Sequence, residues 1–125
     1  RRASLELWAK QAQEAISEAI NPAILDQFGK SSMRSLTSEE SLHAEKIKFE
    51  ILCNIDQSKA LDKNSVFEAI NAEPISSSIH QECDFWISEA SEEIGRKLTV
   101  EEKRNLRASF YVYYQENYSQ TNHLV

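Results

Sequence analysis

Glycine and proline are nearly missing from this chain. Gly29, Gly95, Pro22 and Pro74 are the whole set in 125 residues. All-β folds with many tight turns need far more of both, so an all-α fold is expected. Cysteine is also scarce. Cys53 and Cys83 are too few for a disulfide framework, and both fall inside helical apolar patterns. They read as reduced, buried thiols, with a single disulfide between them as the alternative. No run of about 18 apolar residues is present, so no membrane-spanning segment is expected. No signal-peptide pattern is visible. Two isolated glycines cannot form a phosphate-cradling loop.

What is present suits one helical domain over residues 1–125. The 41% hydrophobic and 27% charged content is ordinary for a globular chain. The first residue is Arg1 rather than Met, which marks an expected piece of a larger intracellular, cytoplasmic protein. The net charge of −6 is uneven. Residues 63–95 set Lys63 against Glu68, Glu73, Glu82, Asp84, Glu89, Glu92 and Glu93, which is −6. Residues 96–107 set Arg96, Lys97, Lys103, Arg104 and Arg107 against Glu101 and Glu102, which is +3. An acidic total argues against broad nucleic-acid binding but leaves room for a local basic contact.

Two helix starts are written plainly. Leu36-Thr37-Ser38-Glu39-Glu40 and Leu98-Thr99-Val100-Glu101-Glu102 are capping boxes. In each, the Thr hydroxyl accepts from the N–H of the third helical residue, and the Glu there reaches back to the Thr N–H. The acidic pairs also suit the positive end of the helix dipole. The 62-residue offset between them hints at two helical hairpins, although the halves align poorly beyond these residues.

Apolar spacing predicts four main helices near 5–20, 38–58, 77–94 and 100–118, with two short ones between them. Neighbours in this single bundle are expected to be antiparallel. Ser4 caps the first, whose Leu5, Trp8, Ala12, Ala15, Ile16 and Ala19 share a face. Asn21-Pro22 is read as a restart, with a short helix over 23–28 closed by Gly29. The helix from Ser38 is apolar over an arc of roughly 240° and is placed at the centre. A short helix around Val66, Phe67 and Ile70 ends before Pro74. The next is capped within Ser76–Ser78 and directs Ile79, Cys83, Trp86, Ile87, Ala90 and Ile94 inward until Gly95. In the last, Leu106, Phe110, Tyr113 and Tyr114 face inward, with Arg107, Tyr111 and Tyr118 at the edge. Phe110–Tyr114 has high strand propensity, but the preceding capping box and the lack of a partner strand favour helix.

Chemical motifs are thin. Glu40-x-x-His43 has the spacing of a helical di-iron ligand pair, yet no second Glu-x-x-His exists. His80-x-x-Cys83 lacks partners to complete a zinc site. It could also pair a base with a thiol, but Cys83 falls on the apolar face, where a thiol is inert. No metal, cofactor or catalytic set is expected. Asn117-Tyr118-Ser119 matches the N-glycosylation pattern, and Arg1-Arg2-Ala3-Ser4-Leu5 matches what basophilic kinases read. Chance explains both short matches more simply.

The candidate binding residues lie on the last two predicted helices. Arg104, Arg107, Tyr111, Tyr114 and Tyr118 lie near one another on a helix surface. Arg beside aromatic rings can stack on bases, or form a protein–protein hot spot. The simpler account is tyrosines at a core rim, rings inside and hydroxyls wet. Phe85 falls opposite the buried arc of its helix, beside Gln81, Ser88, Glu89 and Glu92. A ring there meets either another element of the fold or a partner.

Asp84-Phe85-Trp86-Ile87-Ser88 resembles part of the central helix of regulators of G-protein signalling. The first helix, with Trp8 and its alanines, resembles helices in plasmid mobilisation proteins. Neither resemblance carries functional residues over. The expected function is a non-catalytic helical module that binds another protein through Phe85, Arg104, Arg107, Tyr111 and Tyr118. The alternative is an accessory domain of a nucleic-acid-processing protein, touching phosphate through residues 96–107.

Overall fold

The computed structural model describes residues 2–119, and no strand occurs among them. Five α-helices follow one another: α1 (Arg2–Phe28), α2 (Ser38–Asn54), α3 (Lys63–Ile70), α4 (Ser77–Ile94) and α5 (Val100–Tyr114). A 3₁₀ turn at Met33–Ser35 precedes α2, and a π-helical turn at Gln115–Ser119 extends α5. Both capping boxes form as the sequence predicts. The Thr37 hydroxyl accepts from Glu40 N–H at 3.1 Å while Glu40 accepts from Thr37 N–H at 2.8 Å. Thr99 and Glu102 repeat the pair at 3.1 and 2.8 Å.

Two expected helices are one. α1 runs unbroken through Pro22, and Ser4 lies inside it rather than capping it. Proline in a helix interior removes one hydrogen bond and crowds the preceding turn, at about 3 kcal/mol. The apolar ridge explains why the helix survives. Ile16, Ile20 and Ile24 are buried on both sides of Pro22, so breaking the helix there would expose one end of that ridge. Gly29 then ends α1 at φ +63°, a left-handed value that costs other residues steric strain. α2 is also shorter than predicted. It stops at Asn54, with Ile55 as C-cap, because Asp56 turns the chain by accepting from both Ser58 N–H and Ser58 hydroxyl.

The described residues fall into two compact units, and α1 contributes to each. Ala12–Pro74 form one unit. Its core takes Ala12, Ile16, Ile20 and Ile24 from α1, Phe49, Ile51 and Leu52 from α2, and Val66 and Ala69 from α3. Asn54 ties this unit's end by donating to the Glu73 carbonyl at 3.1 Å. Phe67 and Ile70, expected at the centre of the short helix, are 52% and 43% exposed. An eight-residue helix has one narrow inner face, and Val66 and Ala69 occupy it.

Of the described residues, 2–11 and 75–119 form the other unit. α4 is capped by Ser76 and closed by Gly95 at φ +74°. It lies antiparallel to α5, since Glu82 meets Tyr113 and Tyr118 while Trp86, further along, meets Phe110 and Tyr113. Trp86 meets Phe110 edge-on at 5.0 Å between centroids, a favourable aromatic geometry. From α1, Trp8 packs on Tyr111 at 5.6 Å and Glu6 accepts from the Ser109 hydroxyl at 3.2 Å. The buried arc of α4 is shorter than expected. Ile79 and Cys83 are buried, Trp86, Ile87 and Ala90 are partly covered, and Ile94 is 46% exposed.

Candidate functional site

The predicted site residues divide into four groups. Arg107 and Tyr111 are not at the edge of α5: both are buried, and Tyr111 is fully enclosed. The inner face of α5 is Arg107, Ala108, Phe110, Tyr111, Val112 and Tyr114, wider than the expected one and rotated from it, and Leu106 and Tyr113 are only partly covered. Trp8 draws Tyr111 inward, a contact between residues 103 positions apart that no local pattern displays. Arg107 lies close enough to Cys83 for its charge to favour the thiolate. Burial opposes it more strongly and pushes the Cys83 thiol up to about 12, with Asp84 adding to the rise. Such a thiol is not a nucleophile near neutral pH. Neither cysteine forms a disulfide, and both are buried.

Tyr118 belongs to a hydrogen-bonded cluster. Glu82 accepts from the Tyr113 hydroxyl at 2.9 Å with one oxygen and from the Tyr118 hydroxyl at 2.5 Å with the other. The carboxylate holds both phenols protonated, raising Tyr113 and pushing Tyr118 up to about 12. Tyr118 also stacks on Tyr114 at 5.8 Å. Asn117, of the glycosylation pattern, donates its amide to the Tyr113 carbonyl at 2.9 Å. Apolar spacing does not reveal this cluster, because the π-helical turn that brings Tyr118 to Glu82 of α4 leaves no mark in it.

Phe85 lies where the helical wheel places it. Its ring is 61% exposed, and Gln81, Ser88, Glu89 and Glu92 around it are exposed too. Positions 81, 85, 88, 89 and 92 recur at three- and four-residue steps, so they form one stripe down α4. Its neighbours Cys83 and Trp86 turn the other way, into the unit.

Much of the basic segment 96–107 is engaged internally. Arg96 donates to both oxygens of Glu102, at 2.8 and 2.9 Å. That two-pronged bond, helped by the Thr99 N–H, holds the Glu102 carboxyl down at about 2. Arg104 lies 3.7 Å from Glu101.

No group of three or more His, Cys, Asp or Glu residues among those described could hold a metal ion. His43 of the Glu40-x-x-His43 pair meets Phe28 edge-on at 6.0 Å instead. A groove in the 12–74 unit, floored by Ala15, Ala19, Leu61 and Val66, has a cavity volume of about 180 Å³. That is below the ~300 Å³ at which small-molecule sites begin. No described helix is long and apolar enough to cross a membrane.

No protein family, curated protein or solved structure matches the chain, and the likeness at 84–88 stays confined to those five residues.

Proposed function

We propose that this chain is a non-catalytic helical module that binds another protein, and that the outer stripe of α4 is where it docks. The observation that carries this reading is Phe85. Its ring is 61% exposed although α4 already buries Ile79 and Cys83 and packs Trp86 on α5. A large aromatic ring in water brings folding nothing, whereas aromatic anchors dominate protein–protein contacts. Exposed Gln81 and Ser88 flank it and provide the polar surround such an anchor needs.

Of the other candidate residues, Arg104 is partly exposed, with a side chain 31% accessible. Arg107 and Tyr111 support the unit from inside, and Tyr118 supports it through Glu82. The nucleic-acid reading loses support, because Arg96 is committed to Glu102 and Arg107 is buried.

Affinity capture with the wild-type chain and with Phe85→Ala tests the reading, followed by titration of the purified candidate partner. The expected result is a partner lost, or bound at least about tenfold more weakly, by Phe85→Ala with thermal stability unchanged. Equal binding by both proteins would overturn it, and so would unfolding of Phe85→Ala.

A further inference from the structure

The charge on α4 narrows the partner. Its 18 residues contain Glu82, Asp84, Glu89, Glu92 and Glu93 and neither Lys nor Arg. Glu89, Glu92 and Glu93 crowd its C-terminal end, where the helix dipole is negative and anions are disfavoured. Among the described residues the carboxylates of these three make no hydrogen bond or ion pair. Two of the cations that follow in the chain turn to acids of α5 instead, Arg96 to Glu102 and Arg104 to Glu101. Glu89 and Glu92 stand one and two turns beyond Phe85 on the same stripe. The face therefore offers an aromatic ring followed by two uncompensated carboxylates, at a helix end where folding alone would favour cations.

Resting on the reading of α4 as the docking face, we infer that its partner is a cationic amphipathic segment of another protein. An apolar side chain of that segment covers Phe85, and Lys or Arg side chains one and two turns away meet Glu89 and Glu92. Such a segment matches the face in charge and in spacing, since helix positions four and seven apart align. Nucleic acid and anionic lipid carry the wrong sign for this face.

The test uses short synthetic amphipathic peptides of Leu with Lys, Leu with Gln and Leu with Glu, titrated calorimetrically. The Leu/Lys peptide is expected to bind, and more weakly as salt rises. Phe85→Ala and the double variant Glu89→Lys/Glu92→Lys should each weaken it by about tenfold or more. The charge-matched double variant Glu14→Lys/Glu18→Lys, at exposed positions of α1, should change it less than about twofold. Equal weakening by the α1 variant would overturn the inference, showing attraction to net charge alone. Failure of the Leu/Lys peptide to bind would overturn it too. Phe85-dependent binding of the Leu/Gln or Leu/Glu peptide instead would overturn the cationic partner while leaving α4 as the docking face. If Phe85→Ala alters neither peptide binding nor partner capture, the docking face itself falls. Self-association through α4, read by sedimentation and abolished by Phe85→Ala, would replace the cationic partner with a second copy.

Discussion

Tyr118 donates its hydroxyl hydrogen to Glu82 across 36 positions of sequence, and this bond ties the π-helical turn to α4. Because the carboxylate raises the phenol, the direction of its linkage to folding follows. The contact contributes fully below the ordinary tyrosine value of 10 and is lost as pH rises through about 12. Titration of phenolate absorbance should show a tyrosine lagging the ordinary range. Tyr118→Phe should remove that late step, and Glu82→Gln should bring it down toward 10. An unaltered titration curve in both variants would show that the bond does not form in solution.

Tyr111→Ala should be severely destabilising. Its side chain is fully buried against Trp8, and truncating a large buried aromatic costs about 3–5 kcal/mol. Phe85→Ala should stay within about 1 kcal/mol, the range for a site without a packing role. Denaturant midpoints of the two variants measure the contrast directly. Similar midpoints would show that the buried face of α5 has been misplaced.

That contrast also shows how far the residues alone could be read. The capping boxes at Thr37 and Thr99 are local, involving residues three apart, and local patterns are legible. The exposure of Phe85 was legible for the same reason, since one helix's own spacing decides which side is polar. Tyr111 and Arg107 were not, because Arg and Tyr carry long apolar stems that suit a rim or a core equally well. The approach of Trp8, 103 positions away in the chain, helps to put Tyr111 inside. Pro22 misled in the opposite way. Its local preference for a helix start was outweighed by Ile16, Ile20 and Ile24, buried as one ridge.

Acid should expose the Arg96–Glu102 bond. The Glu102 carboxyl lies at about 2 in the folded chain against an ordinary 4.5. A lowered value means a contribution present above the ordinary value and lost as pH falls through the folded one. The melting temperature should therefore fall between about pH 4.5 and 2, and less steeply in Glu102→Gln. Parallel curves for the two proteins over that window would contradict the assignment.

Pro22→Ala should raise stability. The substitution restores an N–H to the interior of α1 and relieves ring crowding, together about 3 kcal/mol. Greater freedom of the unfolded chain offsets about 0.4–1 kcal/mol of that gain. A net rise of about 2 kcal/mol, read from denaturant unfolding, is expected. A loss would mean that the Pro22 ring itself contributes to packing.

The division of α1 between two units has a consequence for the order of assembly during synthesis. Translation proceeds from the N-terminus, and compact parts close as they emerge. Residues 12–74 are all available to complete their unit before α4 exists. The other unit cannot close then, because it joins residues 2–11 to a stretch that begins at Ile75. Trp8 is thus made early and stays without its partner until Tyr111 leaves the ribosome. Over that interval the start of α1 is an open apolar end, and a pause in translation between Pro74 and α5 would prolong it.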